Sequence, residues 1–335
     1  MRRPRARLRR VPAPLRPGLH VDPGRAADDG QQPPVGGLIL TPALAAALAG
    51  AISDATGAPF QVVRATPVGG GCIHEAVALE GPNDARYFAK LNEARFAVSF
   101  AAEADGLLAL GAAGMRVPRP IVQGTAEGRA FLVLEFLALG EGSDAAHREL
   151  GRRLARQHGH RGPHFGWARD NFIGLTPQAN PPSASWIEFW QTQRLAPQLA
   201  LARAKGYDGR LQSLGGQTVD AVPILLAAHE ATPALLHGDL WTGNAAFLPN
   251  GAPVVFDPAV YYGDPEADLA MTELFGGFPE SFYEGYREVR PIADGYRMRR
   301  VLYNLYHVLN HLNLFGAGYR AQAERMMERL LAAAS

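Results

Sequence analysis

The segment LLHGDLWTGNAAF, residues 235–247, constrains this chain more than any other. An apolar run enters the tripeptide His237-Gly238-Asp239, and Asn244 follows Asp239 by five positions. The apolar run predicts a buried strand, and the glycine predicts a tight turn that leaves the Asp239 carboxylate facing a cleft. A carboxylate held in this way can accept a proton from a substrate hydroxyl. We therefore expect a fold that presents Asp239 and Asn244 to one cleft.

A second carboxylate follows this segment. The chain continues through AAFL, PNG and APVVFD to Asp257, and Asn250-Gly251 is typical of a two-residue hairpin turn. In such a hairpin, Asn244 lies directly across from Asp257. Amide and carboxylate oxygens are ligands that Mg²⁺ prefers. The spacing thus predicts that Asn244 and Asp257 share one metal ion.

The chain from about residue 59 alternates strands and turns. The stretches FQVVRATPV, CIHEAVALEG and RYFAKLN predict an antiparallel meander. Three glycines, Gly69, Gly70 and Gly71, separate the first two strands and could wrap their amides around phosphates. A plain hairpin turn is the alternative, because His74 stands where a third glycine would complete the Gly-x-Gly-x-x-Gly pattern.

A buried ion pair is predicted between the third strand and the next helix. The two-residue period of the strand places Lys90 on the same face as Phe88. The helical stretch that follows has an inward stripe with Glu103 at its middle, formed by Phe96, Phe100, Glu103, Leu107 and Leu110. A carboxylate on an apolar face requires a partner, and Lys90 is the candidate. Alternatively, Glu103 lies at the solvent edge of the stripe.

Two more strands, at 117–124 and 129–137, complete a predicted five-stranded sheet, and the chain is mainly helical from about residue 141. We expect an α+β fold with an antiparallel sheet and one helix in a first lobe, and helices in a second. The predicted division is a disordered basic extension at 1–36, an ATP-binding lobe at 37–138, and a catalytic lobe at 139–335.

Charge, hydropathy and cysteine content argue against a nucleic-acid-binding, a membrane-spanning or a disulfide-bonded protein. Eight arginines and three aspartates give residues 1–36 a net charge of +5, and since the whole chain carries +1, the other 299 residues carry −4. A mildly acidic body argues against nucleic acid as a partner. No apolar run is long enough to span a membrane. One cysteine, Cys72, permits no internal disulfide, so we expect a reducing, cytoplasmic setting. The oligomeric state stays open.

Five features now stand in the order of a phosphoryl-transfer enzyme: a glycine loop, a strand lysine, a helix glutamate, an Asp-x₄-Asn and a metal aspartate. The sequence has His-Gly-Asp in place of His-Arg-Asp and lacks Asp-Phe-Gly and Ala-Pro-Glu. It therefore favours kinases of small molecules, such as aminoglycoside and choline kinases, over protein kinases.

Four segments carry a closer resemblance: HGDLWTGNAAF (237–247), FDPAVYYGDPEADLAM (256–271), NFIGLTPQAN (171–180) and LYHVLNHLNLFG (305–316). Together they resemble the fructosamine (ketosamine) kinase family, and the likeness runs from about residue 39 to the C-terminus. It implies a bilobal protein-kinase-like fold and transfer of the ATP γ-phosphate to the C3 hydroxyl of a ketosamine. The phosphorylated product is unstable, so the activity removes glycation adducts. The preferred sugar, and whether the amine is free or protein-bound, stay open.

The resemblance also implies roles for single residues. Asp239 becomes the catalytic base, and Asn244 and Asp257 become the Mg²⁺ ligands. Lys90 orients the α- and β-phosphates, and Glu103 holds Lys90. The strand end contacts adenine through backbone groups of Glu135, Phe136 and Leu137.

Other residues have two interpretations. Trp241 stacks on the acceptor sugar or packs the turn. His307 and Asn310 belong to a polar stripe that forms a core network or contacts the sugar. Cys72 is a redox-sensitive thiol in the phosphate loop or a small packed side chain. Among the acids after Asp257, Asp268 is the candidate to accept hydrogen bonds from the catalytic turn; the alternative is that Asp264, Glu266 and Asp268 are ordinary acids at a helix N-terminus.

Two alternative functions also remain. One is phosphorylation of another small hydroxylated amine, as by choline or aminoglycoside kinases. The other is a pseudokinase that binds nucleotide without transfer. A pseudokinase usually lacks the lysine, the base or a metal ligand, and this sequence has all of them.

Overall fold

The computed structural model describes residues 40–69 and 74–335. The basic extension lies outside the described residues, as do Gly70, Gly71 and Cys72. The predicted disorder of the extension and the predicted roles of these three loop residues therefore stay predictions.

The described chain begins with α1 (Pro42–Thr56). The Thr41 side chain accepts a hydrogen bond from the backbone N–H of Leu44 at 3.2 Å, and this bond caps the helix. Gly57, with φ of +70°, ends it in the left-handed conformation that glycine adopts without strain. The apolar face of α1 covers one side of a sheet with the buried side chains Leu44, Leu48 and Ile52.

That sheet has five strands in the order β1-β2-β3-β5-β4, and every neighbouring pair is antiparallel. The strands are β1 (Arg64–Pro67), β2 (Glu75–Glu80), β3 (Arg86–Glu93), β4 (Pro120–Ala126) and β5 (Arg129–Glu135). Helix α2 (Ala97–Ala112) packs on the opposite face from α1. The predicted five-stranded antiparallel sheet with its helix is confirmed. The first strand is shorter than predicted, since it begins at Arg64 rather than at Phe60.

The remainder of the described chain is mainly helical, as expected. Its helices are α3 (Asp144–Gln157), α4 (Trp186–Phe189), α5 (Ala196–Ala204), α6 (Arg210–Leu225), α7 (Pro265–Thr272), α8 (Glu280–Val289), α9 (Tyr296–Phe315) and α10 (Arg320–Ala334). A π-helical turn, Trp190–Leu195, joins α4 to α5.

Three short antiparallel pairs of strands lie among these helices. They are β6 (Asn171–Ile173) with β7 (Thr176–Gln178), β8 (Ala234–Leu236) with β11 (Tyr261–Gly263), and β9 (Ala245–Phe247) with β10 (Pro253–Val255).

One hydrophobic core joins the sheet to the helices. Phe100 and Leu107 of α2 belong to the same buried cluster as Leu150 of α3, Leu240 and Phe282. Such a shared core fixes the sheet over the strand that ends at the His-Gly-Asp turn. Among the described helices, none combines the length and apolarity needed to cross a membrane.

Candidate active site

The catalytic turn follows β8 directly. Gly238 has φ of +83°, and a Cβ at this position would lie 2.0 Å from the backbone oxygen of Ala259. Only glycine fits, because both the dihedral angle and the close approach of the second strand exclude a side chain. The turn therefore packs against the segment that follows Asp257.

A buried carboxylate holds this turn in place. Asp268 accepts hydrogen bonds from the backbone N–H groups of His237 at 2.7 Å and Gly238 at 2.8 Å. The prediction that Asp268 binds the catalytic turn is confirmed. The His158 ring lies 3.2 Å from the same carboxylate, a contact that sequence reasoning did not anticipate. Burial would raise the pKa of Asp268, but the hydrogen bond from His158 and the backbone amides hold it below its usual value.

The environment of Asp239 raises its proton affinity. Burial, followed by the nearby carboxylate of Asp257, raises the pKa of Asp239 to about 7. The Asn244 carboxamide opposes this shift, since its Nδ2 donates to the Asp239 backbone oxygen at 2.8 Å and to Oδ2 at 3.3 Å. A carboxylate with a pKa near neutrality is suited to general-base catalysis at the pH of most cells.

The hairpin register predicted between Asn244 and Asp257 is wrong. Ala245 pairs with Val255 and Phe247 with Pro253, so Asn244 lies across from Phe256. The cause is the turn, which has three residues rather than two. Gly251 adopts φ of +80° and its N–H bonds back to Leu248, as in a type I turn followed by a bulge.

Asp257 nevertheless reaches the site, through its own backbone conformation. Its φ of +57° is unusual for a residue other than glycine and redirects the side chain at the end of β10. The Asp257 carboxylate forms an ion pair with Lys90, and its charge acts on Asp239. Asn244 and Asp257 thus both act on Asp239, although strand pairing does not place them opposite each other.

Lys90 forms the predicted ion pair with α2. Its Nζ donates to Glu103 Oε1 at 2.6 Å, and both side chains are largely buried. Burial opposes the positive charge, but the carboxylates of Asp257 and Glu103 raise the pKa of Lys90 above its usual value. Burial, followed by the charge of Asp257, raises the pKa of Glu103, and Lys90 opposes that shift. Lys90 therefore carries a fixed positive charge at the centre of the site.

A cleft of about 460 Å³ adjoins the sheet where β5 ends. Its wall includes Phe136 and Leu137 from the predicted hinge, together with Val68, Ala78 and Phe88. Glu135, the third residue of the predicted hinge, does not line this cleft. Its backbone N–H donates to the Arg119 backbone oxygen, and its carboxylate accepts two hydrogen bonds from the Arg116 guanidinium. Arg64, Thr66 and Glu80 also line the wall, and the apolar side chains in it suit a planar base. The described glycine of the phosphate loop, Gly69, lies next to Val68 in the chain.

The three predicted acceptor residues differ in burial and in their hydrogen-bond partners. Trp241 lies beside Asp239 in the chain, covers Gly243 and contacts the Phe275 ring at 6.0 Å between centroids. Asn310 is buried in α9, where it bonds to Gln198 and to the Ile173 backbone oxygen. His307 is buried as well, and burial lowers its pKa to about 3. Among the three, only Trp241 is partly exposed.

Sequence reasoning missed a buried polar network beneath the site. Asn171 donates to the Val260 backbone oxygen at 2.7 Å and accepts from Gln178 and Asn180. The fully buried guanidinium of Arg194 donates to Asn180 Oδ1 at 2.7 Å. These bonds hold the segment that follows Asp257. Their only sequence signal was the run of carboxamides in NFIGLTPQAN, which has no period that would mark a buried face.

Comparison with known proteins agrees with this geometry. The family model described as fructosamine kinase matches residues 44–333. The chain belongs to the fructosamine kinase family.

Two sequence relatives and one solved structure illustrate the likeness. A probable ketoamine kinase of Synechocystis is 47% identical over 88% of this chain and 99% of its own length. The chloroplastic protein-ribulosamine 3-kinase of Arabidopsis thaliana is 42% identical over 82% of this chain and 85% of its own length. A crystal structure assigned to a fructosamine-3-kinase of Thermobifida fusca is 32% identical, with a TM-score of 0.75 over 85% of this chain and 98% of that one. The expected kinase-like fold is thereby confirmed.

Proposed function

We propose that this protein transfers the γ-phosphate of ATP to the C3 hydroxyl of a ketosamine. The observation that carries the proposal is that Asn244 bonds to Asp239, while the Asp257 carboxylate acts on Asp239 and forms an ion pair with Lys90. Family membership supplies the class of acceptor, since the relatives are named ketoamine and ribulosamine kinases. We further propose that 37–138 form the nucleotide-binding lobe and 139–335 the catalytic lobe.

The donor set fits a magnesium ion. Asn244 Oδ1 makes no hydrogen bond within the described residues, and the Asp257 side chain is 46% exposed. An amide oxygen and a carboxylate are hard ligands that leave room for phosphate and water. A bound Mg²⁺ would neutralise charge on the transferring phosphoryl group.

Two further steps are assigned to the protein's own groups. Asp239 accepts the proton of the sugar hydroxyl as the oxygen attacks phosphorus. Lys90, held by Glu103, contacts the α- and β-phosphates, and Phe136 and Leu137 border the base.

A panel of acceptors tests the proposal. ATP consumption would be measured with fructosyl-, ribulosyl- and erythrulosyl-lysine, choline and an aminoglycoside, each with Mg²⁺. We expect turnover with at least one ketosamine and a new phosphate ester on its sugar. Turnover with choline or the aminoglycoside alone would favour a kinase of another hydroxylated amine. Binding of Mg-ATP without turnover of any acceptor would favour a pseudokinase.

A further inference from the structure

A second cavity, of about 240 Å³, lies between α9 and α10, and its lining shares no residue with the nucleotide cleft. Three arginines border it, two from α10 and one from α9. Leu274, Val301 and Met326 contribute apolar surface, and Asn304 contributes a carboxamide. The cavity therefore combines positive charge, an apolar wall and a hydrogen-bonding group, the usual composition of a small-molecule site.

The two arginines from α10 are exposed at the rim of the cavity and form no ion pair with any described residue. Arg325 and Arg329 are one helical turn apart, and within the described residues neither forms an ion pair or a side-chain hydrogen bond. Every other charged residue of α10 is paired: Arg320 with Glu324, and Glu328 with Arg210. Like charges at this spacing repel each other. The pairing of this helix is thus incomplete only where it faces the cavity.

A buried amide provides an independent sign of a ligand. Asn304 is 6% exposed, and its side chain makes no hydrogen bond to any described residue. Its Oδ1 is fully buried without a partner. Buried polar groups almost always have partners, and a carboxamide can both accept from a hydroxyl and donate to an anion. The Oδ1 atom is closed off from the cavity, so a ligand there would accept a hydrogen bond from Nδ2, which is not fully buried and also has no partner among the described residues.

We propose that this cavity binds a small organic phosphate monoester. Two unpaired guanidinium groups on adjacent turns can converge on one compact dianion, and the planar fork of arginine matches phosphate oxygens. Arg300 lines the same cavity, although it is already bonded to Glu273. The organic part lies against Leu274, Val301 and Met326 and presents a hydroxyl to Asn304. This site is separate from the proposed kinase reaction and does not depend on it.

Direct binding without ATP tests the site. Glycerol 3-phosphate would be titrated calorimetrically into the wild type, into Arg325→Gln/Arg329→Gln and into the control Arg203→Gln/Arg297→Gln. The control removes the same charge from two exposed arginines outside the cavity. We expect binding to the wild type and the control, with affinity at least 10-fold lower in the first variant. No binding to the wild type, or equal binding to all three proteins, would overturn the site.

Two other compounds test the chemical class of the ligand, and each is titrated at the ionic strength used for glycerol 3-phosphate. Inorganic phosphate should bind more weakly than glycerol 3-phosphate, because it lacks the organic part. Malonate carries two negative charges without the phosphate geometry and should bind more weakly still. Malonate affinity equal to or above that of glycerol 3-phosphate would overturn the assignment to phosphate esters.

Asn304→Leu separates a ligand-binding role from a structural one. Leucine has similar size and removes an unpartnered buried amide, so the ligand-free variant should melt at a higher temperature than the wild type. The same variant should bind glycerol 3-phosphate at least threefold more weakly. A lower melting temperature with unchanged binding would show that the amide serves the fold, and would contradict its assignment to the ligand.

Discussion

At the scale of single residues, the protonation of Asp239 links the geometry to a measurable pH profile. Burial and the Asp257 carboxylate raise its pKa to about 7, and the base must be ionised to accept a proton. Activity as kcat/KM should therefore fall as the pH decreases through about 7. In Asp257→Asn, the residual activity should still fall at low pH, but the fall should occur at a lower pH than in the wild type. The reason is that the negative charge that raises the pKa of Asp239 is gone. A fall at the same pH in both proteins would assign the titration to another group.

Asp239→Asn should fold normally and lose activity by about 10²–10⁴-fold, because the hydroxyl then has no base. The raised pKa also predicts a stability effect. A carboxyl whose pKa is higher in the folded state favours folding when protonated, and this contribution is lost as the pH rises through the folded value. Asp239→Asn should therefore melt above the wild type at pH 8, with a smaller difference at pH 5. Activity within threefold of wild type would reject Asp239 as the base.

The metal ligands can be tested apart from the base. Asp257→Ala should abolish the Mg²⁺ dependence of ATP binding, and Asn244→Ala should weaken it less, because the carboxylate supplies the charge. Calorimetric titration with ATP, with and without Mg²⁺, measures both. Asn250→Ala, on the exposed hairpin turn, is a control that should leave the Mg²⁺ effect intact. Unchanged Mg²⁺ dependence in both ligand variants would exclude the proposed metal role.

At the scale of elements, the catalytic turn depends on Gly238. Gly251 provides a matched control, since its φ of +80° is close to the +83° of Gly238 but its Cβ direction is open. Gly251→Ala should cost about 1–2 kcal/mol in unfolding free energy, the penalty of left-handed backbone, and keep activity. Gly238→Ala must also displace the Ala259 backbone, so it should destabilise more and lose most activity. Urea unfolding and initial rates compare them, and equal effects would reject the packing argument.

The sequence correctly predicted the strands and helices in which buried side chains recur at the period of the element. The two-residue period of β3 and the inward stripe of α2 placed Lys90 against Glu103, and the structure has this pair at 2.6 Å. The prediction of the hairpin register was wrong because the register depends on the backbone dihedral angles of one loop residue, Gly251. The amino-acid composition of the loop does not specify these angles. Asp257 lies close enough to act on Asp239 despite this register, and its positive φ is unusual for a residue other than glycine.

Contacts between segments that are distant in the sequence could not be predicted either, because no local pattern encodes them. Arg194 is fully buried without a carboxylate partner among the described residues, and the rings of Phe189 and Tyr261 flank its guanidinium at 4.5 and 4.2 Å. An arginine in a sequence is most often exposed. Only the π-helical turn, Trp190–Leu195, and the three-dimensional arrangement of the loops turn this side chain inward.

At the scale of the whole molecule, the basic extension should be dispensable for the kinase fold. Its composition is rich in Arg, Pro and Gly with little apolar surface to bury, and the family model begins only at residue 44. Deletion of residues 2–36 should therefore change the melting temperature by less than about 2 °C and leave kcat and KM unchanged. Thr41→Ala in the full-length protein is the contrasting variant, because the lost α1 cap should cost about 1 kcal/mol. Calorimetric melting and initial rates measure both proteins. If the deletion lowers the melting temperature more than Thr41→Ala does, the extension packs on the folded chain and the assignment of residues 1–36 is wrong.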